Sequence, residues 1–173
     1  MLDVFCYTGG FGLHAASKGA NATMLDLKDA ISQAKRNAKL NALEDRVSYI
    51  EGKAFEETKK LISKPGRFDL ITVDPPAFIQ RPSELSRGKK AYHQINYNCM
   101  KLLKNNGILV TSSCSHFLSP QAFLNVLSDA ASNAGKTAII IEQRFASQDH
   151  MVLLYPQSEG AYLKCVFLRV QDK

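Results

Sequence analysis

The sequence has no apolar run close to the roughly 20 residues that a membrane-spanning helix requires. It also lacks the opening of a secretory leader, because Asp3 interrupts the first apolar run and no basic segment precedes it. The four cysteines, Cys6, Cys99, Cys114 and Cys165, form no CxxC pair of the kind that binds metal. These absences predict a cytoplasmic protein with reduced thiols, no bound metal and no membrane contact.

Linkers, internal repeats and low-complexity segments are also missing from the 173 residues, a length typical of one domain with its own core. Lys and Arg number 22 against 16 Asp and Glu, a net charge of +6. This mild basic excess fits an anionic partner such as RNA, although many soluble proteins share it.

Strand-like and helix-like segments alternate along the chain, which predicts a mostly parallel sheet with helices on both faces. The seven predicted strands are 1–7, 22–26, 47–51, 68–74, 107–111, 138–143 and 163–170. The predicted helices are 11–18, 29–41, 55–62, 92–103 and 120–134, and residues 76–88 are interpreted as a polar, mobile loop. No helix is evident between the last two strands, so they are expected to pair antiparallel. We therefore predict an α/β, doubly wound, mostly parallel seven-stranded sheet with the last strand antiparallel.

A glycine turn follows the first predicted strand, in LDVFCYTGGFGLHAA, residues 2–16. Glycine lets the backbone approach a ligand closely, and the following helix N-terminus offers N–H groups to an anion. The spacing is not GxGxxG, so a carboxylate is favoured over a dinucleotide pyrophosphate. Asp26 ends the second strand, where a carboxylate can accept hydrogen bonds from both ribose hydroxyls of a nucleoside. Alternatively, Gly9-Gly10 is only a tight turn and Asp26 a helix cap.

Two more predicted strands end in polar residues. Asp74-Pro75-Pro76 follows FDLITV, and its prolines predict a rigid corner whose carboxylate and carbonyls could bind the edge of an amino-bearing base. The alternative is a simple strand-ending turn.

In ILVTSSCSHF, residues 108–117, Cys114 lies in a hydroxyl-rich loop past a buried strand, where catalytic groups of open α/β sheets gather. The alternative there is a structural thiol.

The motifs LDVFCYTGGF, FDLITVDPPAF, AYHQIN, GILVTSSCSH, QDH and GAYLK occur in an order that resembles one family. That family is the ribosomal large-subunit RNA cytosine-5 methyltransferases, S-adenosylmethionine-dependent enzymes of the Rossmann-like class I fold. The resemblance covers nearly the whole chain, and a DPP corner combined with an SCS loop is far more specific than either motif. It implies S-adenosylmethionine as cofactor and ribosomal RNA as partner. It also implies that residues 1–173 are a catalytic domain without the family's N-terminal RNA-binding regions; a homodimer is a further option.

The resemblance also assigns roles to individual residues. Asp26, with Leu27 beside it, would hold the cofactor ribose, the backbone of Ala54 would contact the adenine, and Asp74 would lie between cofactor and target base. Cys114 would be the nucleophile. The methionine part of the cofactor would be lined by Phe5, Tyr7, Thr8, Gly9, Gly10 and Phe11. The substrate would be contacted by Pro75, Pro76, Phe78, Tyr92 and His150.

A thiol in this position makes chemical sense, because cytosine C5 is a poor nucleophile until a thiolate adds to C6. Cys114 must then be ionised or readily ionised, which nearby positive charge would help. Ser112, Ser113 and Ser115 could hydrogen-bond the thiolate or the base, and His116 is a second histidine candidate beside His150. Tyr92 and Asn96, on one helix face, could support the Asp74 loop, or Tyr92 could only pack.

The sequence departs from the family pattern in two motifs. Lys53 stands where the family has an aspartate for the adenine amino group, and lysine cannot accept a hydrogen bond from an amine. Met151 replaces the proline expected after Asp149-His150. Two alternatives therefore stay open: a methyltransferase for another nucleic-acid base or a small molecule, and an inactive cofactor-binding remnant.

Overall fold

The computed structural model describes residues 1–63, 68–150 and 162–173. Within these residues, seven strands and five α-helices follow in chain order, and two short 3-10 helices occupy Glu44–Arg46 and Pro82–Glu84. The strands are β1 (Leu2–Val4), β2 (Ala22–Asp26), β3 (Val47–Glu51), β4 (Phe68–Val73), β5 (Leu103–Ser113), β6 (Lys136–Arg144) and β7 (Lys164–Asp172). The helices are α1 (Gly10–Ser17), α2 (Lys28–Leu40), α3 (Ala54–Ile62), α4 (Leu85–Leu102) and α5 (Pro120–Asn133).

The sheet confirms the predicted fold class. Its strand order is β3-β2-β1-β4-β5-β7-β6. Strands β1 to β5 are parallel, and β7 pairs antiparallel with both β5 and β6. The order reverses between β1 and β4, and ligands of open α/β sheets bind beyond the carboxyl ends of the strands at such a switch point.

Two apolar clusters cover the two faces of the sheet. Because side chains alternate along a strand, Leu2 and Val4 of β1 face the larger cluster, beneath α4 and α5. The smaller cluster contains Met24 and Ile31 and lies on the side of α1 and α2. Asp3 lies between Leu2 and Val4, so its carboxyl faces α1. No described helix is long and apolar enough to cross a membrane.

Three predicted element boundaries are wrong. β1 stops at Val4 rather than at residue 7, because Phe5 (φ 63°) and Tyr7 (φ 49°) adopt left-handed backbone that a strand cannot continue through. α4 begins at Leu85, so the end of the predicted mobile loop is helical. β5 extends from Leu103 to Ser113. Met151, one of the two departures from the family pattern, lies outside the described residues.

Candidate active site

A cleft lies at the switch point between the loop after β1 and the loop after β4. Its volume of about 460 Å³ is within the range typical of small-molecule sites, roughly 300–1,000 Å³. It is lined by Phe5, Cys6, Tyr7, Thr8, Gly10, Phe11, His14 and Asp74. The structure therefore brings together most of the residues predicted to line the methionine part of a cofactor.

Asp26 is held at the end of β2 by two backbone N–H groups. Tyr7 N donates to Oδ2 over 2.8 Å, and Leu27 N donates to Oδ1 over 2.7 Å. The residue at the N-cap of α2 is Leu27, so Asp26 is not the helix cap considered above. Each carboxylate oxygen keeps a further lone pair that could accept a ligand hydroxyl.

Asp3 is a buried carboxyl beneath the cleft that the sequence reasoning did not assign to the site. Its Oδ2 accepts from Gly12 N (2.9 Å) and its Oδ1 accepts from Thr72 Oγ1 (2.6 Å), which ties α1 and β4 to β1. Burial raises the pKa of this carboxyl, and its hydrogen bonds to Thr72 and Gly12 act in the opposite direction. The available signal was a charged residue in an otherwise apolar strand.

Four aromatic rings join the loops around the cleft. Phe5 lies 6.4 Å from Phe55 at the start of α3 and 6.2 Å from Phe78 after the DPP corner, measured between ring centroids. Phe78 in turn contacts Tyr92 of α4 at 4.8 Å. Edge-to-face and tilted contacts of this kind fix relative orientation as well as burying apolar area. The loops after β1, β3 and β4 are therefore packed as one unit.

Lys53, which stands where the family has an aspartate, lies at the protein surface. Its exposed ammonium lies 3.6 Å from Glu56, and its side chain makes no cap to α3. Ala54, the first residue of α3, is buried next to it. Backbone N–H groups in a first helical turn have no partner within the helix, so the backbone at Ala54 fits the predicted contact with an adenine.

Cys114 follows β5 beside the DPP corner and is half-buried. Its thiol lies 3.8 Å from the carbonyl oxygen of Pro75, which accepts a weak S–H hydrogen bond. Pro75 itself is buried, whereas Pro76 and the neighbouring Asp74 are exposed. The structure thus places the DPP corner and the SCS loop in direct contact.

The hydroxyl groups around Cys114 hold the loop rather than face a ligand. Ser113 Oγ donates to Tyr92 Oη over 2.9 Å, and Ser115 Oγ is hydrogen-bonded to the same Oη at 2.9 Å. Ser115 Oγ also accepts from Ile79 N over 3.1 Å. All three side chains are fully buried. In this structure Tyr92, Ser113 and Ser115 therefore support the two loops, and their hydroxyl groups bind one another or the backbone.

The groups around Cys114 disfavour ionisation of its thiol. Burial raises the pKa of the Cys114 thiol, the negative charge of Asp74 adds to this, and the positive charge of Lys164 opposes it. Desolvation raises the pKa of the Asp74 carboxyl as well, while a hydrogen bond with Ser112 lowers it. Ionisation of the thiol therefore depends on the balance of charges around the cleft.

The two histidine candidates have no described contact with Cys114. The His150 ring packs edge-on against Tyr162, with centroids 5.6 Å apart, and its backbone N–H donates to Ser147 O. His116 is exposed and packs against Phe117. No group of three or more His, Cys, Asp or Glu that could hold a metal occurs among the described residues.

Similar proteins place this chain in a family. A Methanocaldococcus jannaschii protein, named provisionally as a ribosomal RNA large subunit methyltransferase, is 42% identical over 175 residues, covering 99% of this chain and 44% of its own length. Ribosomal RNA large subunit methyltransferase I of Tolumonas auensis is 35% identical, covering 98% of this chain and 43% of its own length. The chain thus spans less than half of these relatives.

The fold also matches solved structures. A crystal structure of SMU.776, named provisionally as a methyltransferase and complexed with SAH, superposes with a TM-score of 0.84 at 22% identity. The superposition covers 97% of this chain and 44% of that one. Residues 1–143 match the profile of the family described as Conserved hypothetical protein 95, and the chain belongs to that family.

Proposed function

We propose that this chain is the catalytic domain of an S-adenosylmethionine-dependent methyltransferase that modifies ribosomal RNA of the large subunit. The names of the relatives support the substrate class. The open α/β fold with a cleft at its switch point, and Asp26 at the end of β2, support a nucleoside-containing cofactor.

The residues present fit such a cofactor. Asp26 offers acceptor capacity for ribose hydroxyls, and the cleft beside Phe5 and Phe11 provides apolar walls that end at Asp74. Lys53 is paired with Glu56 at the surface, so it does not occupy the cleft. When bound, S-adenosylmethionine would supply an electrophilic methyl group on a sulfonium.

We further propose that the acceptor is C5 of a cytosine and that Cys114 is the nucleophile. The observation that carries this step is the position of the thiol at the end of β5, 3.8 Å from the Pro75 carbonyl and next to Asp74. Cys6 and Cys99 are buried, and burial raises the pKa of both thiols, that of Cys6 to about 12. Of the four thiols, only Cys114 lies in the loop that meets the DPP corner.

The roles of the chain's residues follow from this chemistry. The Cys114 thiolate adds to C6 of the base, forming a C–S bond and moving the C5–C6 π electrons so that C5 becomes nucleophilic. After C5 has gained a methyl group, a base removes the C5 proton. The electrons of the broken C–H bond re-form the C5–C6 double bond, and Cys114 leaves as thiolate. Asp74 and the Pro75 carbonyl would hold the exocyclic amino group during these steps.

A trapping experiment tests the nucleophile. RNA that contains 5-fluorocytidine carries no C5 proton to remove, so a methylated adduct cannot release the thiol. We expect the chain to form a denaturant-stable complex with this RNA when S-adenosylmethionine is present, and Cys114→Ala to form none. Cys165→Ser is the matched control, because Cys165 is the other partly exposed thiol and lies on β7.

Methyl transfer to unmodified large-subunit RNA distinguishes methylation at cytosine C5 from methylation at an exocyclic amine and from an inactive chain. Loss of transfer in Cys114→Ala with unchanged cofactor affinity in calorimetry supports cytosine C5 chemistry. Transfer that persists in Cys114→Ala overturns it in favour of methylation at an exocyclic amine, for which Asp74 would be an acceptor. Failure of the unmodified chain to bind the cofactor at all would overturn the proposal that this chain is itself an active enzyme.

A further inference from the structure

Lys164 is a buried cation at the beginning of β7, and the proposed chemistry so far gives it no role. Only 5% of the residue is exposed. It lies opposite Ser113 in the β5–β7 pairing. Its Nζ donates to the carbonyl oxygens of Ser115 (2.9 Å) and Tyr162 (2.8 Å). The ammonium group is therefore fixed beneath the loop that carries Cys114.

The charge of Lys164 has no carboxylate partner within ion-pair distance in the part of the chain that the structure describes. Buried lysines are rare without a partner, because removing an ammonium from water is costly. Burial lowers the pKa of Lys164 to about 8, and the charge that opposes this shift is that of Cys114. A buried ammonium with two carbonyl acceptors and no carboxylate is a site that favours a nearby anion.

Cys114 is the group that can supply this anion. It immediately precedes Ser115, whose carbonyl Lys164 binds. The other ionisable groups that face the thiol are Asp74 from the loop after β4 and Tyr92 from α4, and His116 follows it on the exposed side of the loop. Asp74 opposes ionisation of the thiol and Lys164 favours it.

We propose that Lys164 is a positioning residue that stabilises the Cys114 thiolate as its counterion, with its carbonyl contacts holding the ammonium beneath the SCS loop. This inference rests on the proposed function, in which Cys114 must ionise to attack. It gives a physical role to the lysine of the GAYLK motif, to which the sequence pattern alone assigns none.

Alkylation of Cys114 by iodoacetamide tests the proposal without RNA or cofactor, so its outcome is independent of whether the chain methylates RNA. The rate for each cysteine would be measured by peptide mass spectrometry between pH 6.5 and 10. Lys164→Gln keeps an N–H donor for the carbonyls but removes the charge. We expect alkylation of Cys114 to slow about tenfold at pH 7, equivalent to one unit in the thiol pKa.

The pH dependence of the Cys114 alkylation rate shows whether Lys164 acts through its charge or only through its hydrogen bonds to the loop. Since Lys164 loses its charge near pH 8, the rates of the wild type and Lys164→Gln should converge above that pH. Lys136→Gln is the matched control: this lysine is also largely buried, begins the neighbouring strand β6 and pairs with Asp172. A rate in Lys164→Gln that equals wild type at pH 7, or that is reduced by the same factor at every pH, would overturn the proposal.

Discussion

At the scale of single residues, the cleft is organised by carboxylates that accept backbone N–H groups. Asp26 fixes Tyr7 and Leu27, and Asp3 fixes Gly12. These contacts stabilise a loop in which Phe5 and Tyr7 both have positive φ, a conformation that is costly for bulky residues. The backbone of the loop is thus held in place before any ligand arrives.

Replacing Asp3 by Asn tests this arrangement. Both of its partners, Gly12 N and Thr72 Oγ1, donate, so one of them would face the new amide N–H group instead of an acceptor. Burial raises the pKa of Asp3, and Asn would remove the cost of burying this charge. We expect the unsatisfied donors to dominate and the free energy of unfolding to fall by about 1–3 kcal/mol. Urea denaturation at pH 7 measures this.

The control for Asp3→Asn is Asp29→Asn, an exposed carboxylate in the first turn of α2. Its loss should cost less than about 1 kcal/mol, the size of a helix-dipole contribution. Equal effects in the two variants, or a more stable Asp3→Asn protein, would show that the carboxylate is not what holds α1 to β1.

At the scale of elements, α4 packs closely at Gly88 against the segment that follows the DPP corner. A Cβ atom on Gly88 would lie 2.1 Å from Ile79 Cγ1 and 2.8 Å from the Phe78 carbonyl oxygen. Ile79 N in turn binds Ser115 Oγ. The packing of this helix therefore reaches the SCS loop through a short segment of backbone.

Gly88→Ala should be destabilising even though alanine normally improves a helix by up to about 1 kcal/mol. The new methyl group would displace buried Ile79 and the backbone at Phe78, and we expect a net loss of about 1–3 kcal/mol in thermal or chemical unfolding. Ser86→Ala, at an exposed position of the same helix, should change the stability by less than about 0.5 kcal/mol. A more stable Gly88→Ala protein would mean that α4 is not packed this closely.

The same region indicates what sequence can and cannot predict here. Alternating periodicity and polar strand ends were enough to locate Asp26, Asp74 and Cys114 at one edge of the sheet. The helical start of α4 was missed, because Gly88 and its polar neighbours are typical of a loop and the close contact with Ile79 exists only after folding. A supporting role for Tyr92 was one of the options that the sequence left open, but its hydroxyl partners, Ser113 and Ser115, were not predicted because they lie on a distant segment.

At the scale of the whole molecule, the site joins elements from both halves of the chain. Phe5 in the loop after β1 packs against Phe78 beyond β4, and the DPP corner contacts Cys114 after β5. Lys164 of β7 donates to the carbonyl oxygen of Ser115 in the SCS loop. Because the antiparallel register of β7 places Lys164 opposite Ser113, the last strand contributes a charge to the site as well as pairing with β5 and β6.

This placement predicts a pH dependence of stability. The folded-state pKa of Lys164, about 8, is below its ordinary value of 10.5, so the unfolded chain binds more protons between these two values. Stability from this group therefore rises as the pH increases from about 8 to about 10.5. Cys114 titrates nearby and acts in the opposite direction on stability, because its own pKa is raised.

The measurement therefore compares Cys114→Ala with the double variant Cys114→Ala/Lys164→Met by urea denaturation. We expect the protein that retains Lys164 to gain stability relative to its partner across this range, whereas parallel curves would show that the lysine is not desolvated in the folded protein.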